Sequence, residues 1–157
     1  MKINKRLLFM CIAIPLIAGI IAGLTTRNSM ELFGVVEKPP LAPPAWLFPV
    51  VWTILYILMG ISSYIILTSD ARQEEINRAI KIYVYQLVAN FLWPTFFFNF
   101  GWYLFSFLWL ILLWFLVFLM IKCFYEINKV TAYLNVPYLV WLTFAGYLNA
   151  GIWLLNR

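Results

Sequence analysis

Residues 38–52 read Lys38-Pro39-Pro40-Leu41-Ala42-Pro43-Pro44-Ala45-Trp46-Leu47-Phe48-Pro49-Val50-Val51-Trp52, and five of the fifteen are proline. Proline fixes φ and removes a backbone donor, so this stretch is neither ordinary helix nor central strand. It feeds directly into an apolar run that ends near Leu67. A stiff, aromatic-tipped segment at the mouth of an apolar helix reads as a lid over a site inside a membrane bundle.

The medium follows from composition. Of 157 residues, 65% are hydrophobic and 11% are charged, and the mean hydropathy is +0.91. Soluble domains carry about 25% charged residues, so too few charges are present to coat a water-facing surface. The chain therefore reads as an integral membrane protein. A spanning helix needs about 20 mostly apolar residues, and five segments qualify, at approximately 7–24, 48–67, 79–98, 103–121 and 130–155. Backbone groups in lipid must be satisfied internally, so all five are expected to be helices. The expected fold is a single all-α membrane domain over residues 1–157, a five-transmembrane-helix bundle with a proline-rich loop between the first two helices. Pro137 is expected to kink the last span or displace its start. Residues 70–78 read as a solvated helical turn without chemistry. The start with Lys2, Lys5 and Arg6 resembles a signal peptide, but the apolar run is long and no small-x-small cleavage pattern follows.

With five spans, alternate sides of the membrane carry eight and three Lys and Arg residues. The positive-inside rule then places the N-terminus in the cytoplasm and the C-terminus outside, with the proline-rich loop facing outward.

Several chemistries are excluded by residue type. Histidine is absent, so no imidazole serves as metal ligand, haem ligand or base. Cys11 and Cys123 lie on separate segments and form no CxxC pair. The six acidic residues sit in loops or at span ends, which leaves no intramembrane carboxylate for proton coupling. The net charge of +5 forms no basic stripe, so nucleic acid is not an expected partner. No catalytic set, metal site or cofactor is expected.

Aromatic residues make up 20% of the chain. An interfacial belt accounts for Trp102, Tyr103 and Trp153 but not for Trp52, Tyr56, Trp93 and Trp141, which fall within spans. Gln86, Asn90, Trp93 and Phe97 form one stripe of the third span at helical spacing, while Trp141, Ala145 and Asn149 form another in the fifth. Trp52, Tyr56 and Gly60 repeat the theme in the second. Each alone can be core packing. Together they describe an apolar, aromatic-walled cavity with a few directional polar groups, the make-up of a small-molecule site. A planar guest would stack on the rings. Gly19-Ile-Ile-Ala-Gly23 is a GxxxG that permits close helix approach, within the bundle or across a dimer.

These residues resemble the translocator protein or tryptophan-rich sensory protein family (TspO/MBR, the peripheral-type benzodiazepine receptors), in a bacterial-type member. The resemblance runs from Phe33 to Asn149: Lys38-Pro39, Pro43-Pro44, residues 46–52, Tyr56, Met59-Gly60, Gln86-Leu87, Asn90, Trp93, Phe97-Phe98, Pro137-Tyr138-Leu139, Trp141, Ala145 and Leu148-Asn149. It implies a pocket beneath the first loop that binds protoporphyrin IX-like tetrapyrroles and benzodiazepine-type ligands. Trp52, Tyr56, Asn90, Trp93, Phe97, Trp141 and Ala145 would line it, with Phe33 and Pro43 or Pro44 above and Asn149 as a further directional contact. Homodimers in a lipid membrane are also implied. The chain departs from the family where Leu41 stands in place of a frequent aromatic, and Tyr147 and Arg157 are too far apart for the animal sterol motif.

Three functions stand open on this reading. The first is a receptor or binding protein that senses, stores or transports tetrapyrroles. The second is a cofactor-free, light-dependent oxidative degradation of porphyrin through Trp52 and Trp141. The third is a small-molecule transporter or an interaction protein in stress signalling.

Overall fold

A computed structural model describes residues 2–157, the side chain of Leu32 excepted. It is all helix: α1 (Lys5–Thr26), α2 (Met30–Phe33), α3 (Leu47–Leu67), α4 (Gln73–Pro94), α5 (Tyr103–Ile127) and α6 (Lys129–Leu155), with no strand among the described residues. The helices α1, α3, α5 and α6 are long and apolar enough to cross a membrane. The long helices contact one another in a closed ring, in the order α1, α3, α6, α5, α4 and back to α1.

Local sequence explains the helix ends. Asn4 caps α1, its Oδ1 accepting from the Leu7 amide at 3.1 Å. Helix α4 starts at Gln73, so residues 73–78 belong to it and are not a separate turn. The Arg72 amide donates to Glu75 Oε2 at 3.3 Å and its guanidinium to Oε1 at 2.7 Å. That side-chain hydrogen bond holds the exposed Glu75 carboxyl below its usual range. At the other end of α4, Pro94 has no amide to give the Asn90 carbonyl, and the backbone widens into a π-turn over Thr95–Asn99. The Phe100 amide closes this turn onto the Thr95 carbonyl at 3.1 Å, and Gly101 at φ +64° turns the chain into α5. Pro137 lies inside a continuous α6.

The ring is solid at one end. Met59, Ile66, Ala79, Val117, Met120 and Phe124 are all fully buried where α3 and α5 finish and α4 and α6 begin. Polar ties run through this core, with Asn135 Nδ2 donating to Ser62 Oγ at 2.9 Å. At Gly60 the backbones of α3 and α1 meet, and a Cβ there would fall 2.5 Å from Ile12 Cα and 2.7 Å from the Cys11 carbonyl. Only the first glycine of the α1 GxxxG makes a close approach within the bundle. Gly19 lies against the Tyr56 ring, while a Cβ on Gly23 would meet nothing within 4 Å.

Gly60→Ala therefore forces a methyl into backbone that cannot yield, and is expected to cost about 1–3 kcal/mol as an overpacked site. Gly23→Ala, inside a helix and facing open space, is expected to hold or slightly raise the thermal unfolding midpoint in detergent. Equal midpoints for the two variants would contradict this packing.

Candidate functional site

The opposite end of the ring is hollow. It encloses a cavity of about 250 Å³ bounded by α1, the α2 segment, α3, α4 with its π-turn, α5 and α6. Of the residues singled out from the sequence, Phe33, Trp52, Tyr56, Asn90, Trp93, Phe97, Trp141, Ala145 and Asn149 line it. Pro43 and Pro44 are not among the lining residues. Ala45, Phe48 and Pro49 take their place, because Pro44 is used to start α3, its carbonyl accepting from the Leu47 amide at 3.1 Å.

The floor is a chain of hydrogen bonds between three helices. Tyr56 Oη donates to Asn90 Oδ1 at 2.7 Å, and Asn90 Nδ2 donates to Tyr138 Oη at 2.7 Å. Tyr138 Oη in turn donates to Gln86 Oε1 at 2.8 Å. Trp52 stacks on Tyr56 with centroids 5.5 Å apart and meets Tyr138 edge-on at 6.0 Å. One wall is fixed by Asn149. Its Oδ1 accepts from Trp93 Nε1 at 3.2 Å and lies 3.2 Å from Ser106 Oγ, while its Nδ2 donates to the Tyr103 carbonyl at 2.8 Å. Trp93 stacks on Phe97 at 5.1 Å. The π-turn adds a residue per turn, and Phe97 and Phe98 both face the cavity as a result.

The two buried amides are thus committed to the protein. Asn149 holds three neighbours and has little left for a guest. The indole N–H of Trp141 is different: it is buried and has no hydrogen-bond partner among the described residues. A buried donor without a partner costs about 1–3 kcal/mol, so a turn of the Trp141 ring that brought this N–H to an acceptor on a guest would be favoured.

The roof is aromatic. Phe33 meets Phe48 at 5.9 Å and Phe98 at 5.9 Å, and Lys38 Nζ sits 4.7 Å above its ring. Phe48 meets Trp141 edge-on at 5.8 Å. Over this plug runs the proline-rich segment, latched to the end of α6. The Glu37 amide donates to Asn156 Oδ1 at 3.0 Å, and Asn156 Nδ2 donates back to the Glu37 carbonyl at 2.8 Å. Tyr147 Oη donates to the Pro40 carbonyl at 2.7 Å. Pro39 is seated so closely on Gly151 that a Cβ there would lie 2.5 Å from its Cγ. Leu41 turns the segment at φ 68° and is 83% exposed, so the residue that departs from the family pattern points away from the cavity. Sequence reasoning passed over Tyr147, Gly151 and Asn156. The spacing of Tyr147 and Gly151 on one helical face was the available signal, but nothing local names the loop as their partner.

A model of the TspO/MBR family matches residues 11–154. The chain is 35% identical to the tryptophan-rich protein TspO of Chlorobaculum tepidum, over 98% of this chain and 99% of that one. It is 36% identical to protein CrtK of Rhodobacter capsulatus, covering 77% and 76% of the two chains. With the translocator protein of Bos taurus the identity is 31%, over 92% and 86%.

Because Asn156 pairs with both backbone groups of Glu37, Asn156→Ala is expected to speed hydrogen exchange in a peptide covering residues 34–46. Exchange in α5 should stay as it is. Unaltered protection of residues 34–46 would show that the latch does not hold the segment.

Proposed function

The chain belongs to the TspO/MBR family and is a multi-pass integral membrane protein, and we propose that it binds planar tetrapyrroles of the protoporphyrin IX kind in the aromatic-walled cavity, for their sensing, storage or transport. The observation that carries this reading is the cavity itself: rings from α3, α4 and α6 stand around one hollow, and the indole N–H of Trp141 is buried behind it without a partner among the described residues. Ring faces suit a macrocycle, and the indole donor, once the Trp141 ring turns toward the guest, suits an acceptor atom on it. Benzodiazepine-type ligands, with rings and a lactam carbonyl, satisfy the same surface. Phe33, Trp52, Tyr56, Asn90, Trp93, Phe97, Trp141 and Ala145 are the proposed contacts. Asn149 acts through Trp93, and Pro43 and Pro44 act by stiffening the segment above. Lys38 and Arg27, on the same side as that segment, are placed to meet propionates.

At about 250 Å³ the cavity lies below the roughly 300–1,000 Å³ usual for small-molecule sites, so a tetrapyrrole enters only when the roof moves. Binding is therefore coupled to release of Phe33 and of the Asn156 latch. In this reading the whole of residues 1–157 is one domain, and α4 crosses the membrane as the third of five spans. The N-terminus lies in the cytoplasm and the latched segment outside, and two copies pair as a homodimer.

A second reading, light-dependent oxidation of bound porphyrin by dioxygen, is favoured by one contact. Trp52 touches both Tyr56 and Tyr138, so an oxidised indole has phenol electron donors beside it.

Titration of the detergent-solubilised protein with protoporphyrin IX tests the first reading. Trp141→Phe keeps a ring and removes the N–H, and is expected to weaken binding about tenfold, the scale of one lost hydrogen bond of about 1.4 kcal/mol. Trp141→Ala should weaken it further, and wild-type affinity in both variants would remove the cavity from consideration. Illumination of the complex under air separates the second reading. Soret bleaching no faster in wild type than in the Trp52→Phe, Trp141→Phe double variant would reject it.

A further inference from the structure

We propose that a recess on the outer face of the bundle, between α5 and α6, binds one acyl chain of a membrane phospholipid. The recess measures about 350 Å³ and lies on two helices that are each long and apolar enough to cross a membrane. Its floor is at Gly146, where a Cβ would be 3.9 Å from Leu110 Cδ2, and Phe107, Ile111, Trp114, Tyr147 and Ala150 stand around it. The polar groups at its edge are all turned away. Trp114 Nε1 donates to Thr143 Oγ1 at 2.9 Å, the Thr143 hydroxyl donates to the Leu139 carbonyl at 2.9 Å, and the Tyr147 hydroxyl is held by Pro40. What remains facing the recess is hydrocarbon.

Shape and chemistry together select the occupant. At about 350 Å³ the recess is larger than one side chain of a neighbouring protein would fill. Gly146 and Ala150 have the spacing of a small-xxx-small contact, which lets two backbones approach closely. Here the rings of Phe107, Trp114 and Tyr147 flank those small residues and hold a second helix off, while a flexible chain passes between them. The Tyr147 phenol, beside the proline-rich segment, marks the headgroup end, as aromatic hydroxyls do at membrane interfaces. The site has a consequence for the interior. Leu110, 3% exposed, borders both the recess and the cavity, so a single side chain separates the acyl chain from the cavity beyond it. The proposal depends on the membrane placement of α5 and α6 and not on which guest the cavity takes.

The test uses the full chain in phosphatidylcholine nanodiscs doped with phosphatidylcholine that carries a photoactivatable diazirine in one acyl chain. Cross-linked peptides are read by mass spectrometry. Wild type is expected to label within 107–114 and 142–150 several-fold above the exposed face of α1 at Ile14, Ile17 and Ile21. Gly146→Leu and Ala150→Leu, which fill the recess, should each bring that labelling down to the α1 level and leave α1 labelling unchanged. Ala150→Leu alone decides the matter if Gly146→Leu fails to fold, as judged by its thermal midpoint. Equal labelling of the two faces in wild type overturns the proposal, as does labelling that neither variant lowers. A filling variant that converts a dimer to a monomer would also overturn it, by assigning the recess to a second copy.

Discussion

A buried polar group needs a partner inside the protein, because the surrounding hydrocarbon offers none. In this bundle the buried amides meet that demand by reaching across to other helices, with Asn135 Oδ1 alone among their atoms left without a partner in the described residues. Asn90 joins α3 to α6 through Tyr56 and Tyr138. Asn149 joins α4 to α5 through Trp93 and Tyr103, and Asn135 joins α6 to α3 through Ser62. These ties set the spacing of the ring. A cavity survives at one end because the helices there are held apart by rings and amides, while at the other end Met59, Val117, Met120 and Phe124 fill the space.

The same demand explains the roof. Residues 34–46 have no helical ladder of their own, and proline removes donors from them, so the remaining backbone groups need outside partners. Asn156 supplies a donor and an acceptor to Glu37, and Tyr147 supplies a donor to Pro40. Both come from α6, the helix that also carries Trp141, Ala145 and Asn149 into the cavity. The anchors of the roof and the residues of the wall thus share one helix, and releasing the segment from those anchors leaves the wall in place.

Much of this was legible in the sequence. The stripes of α3, α4 and α6 named eight cavity-lining residues because helical spacing alone puts them on one face, and the family resemblance added Phe33. Two expectations shifted for local reasons. Pro43 and Pro44 are absorbed in launching α3, and helix α4 runs from Gln73 and ends in a π-turn because Pro94 cannot continue the ladder. The role of Asn149 changed for a non-local reason. The sequence offered it as a free amide, and the fold surrounds it with Trp93, Ser106 and Tyr103.

The sequence by itself determined the medium, the helical class, the family resemblance and which rings share a helical face, since all of these depend on composition and on spacing along one helix. Tertiary structure alone decided which polar groups are spent and which are free. Asn90 and Asn149 are consumed by neighbours far along the chain, Trp141 Nε1 is left unpaired, and Gly151 with Asn156 receives the loop. Hydrogen-bond satisfaction is a sum over every partner within reach, and that reach is fixed only once the helices are packed.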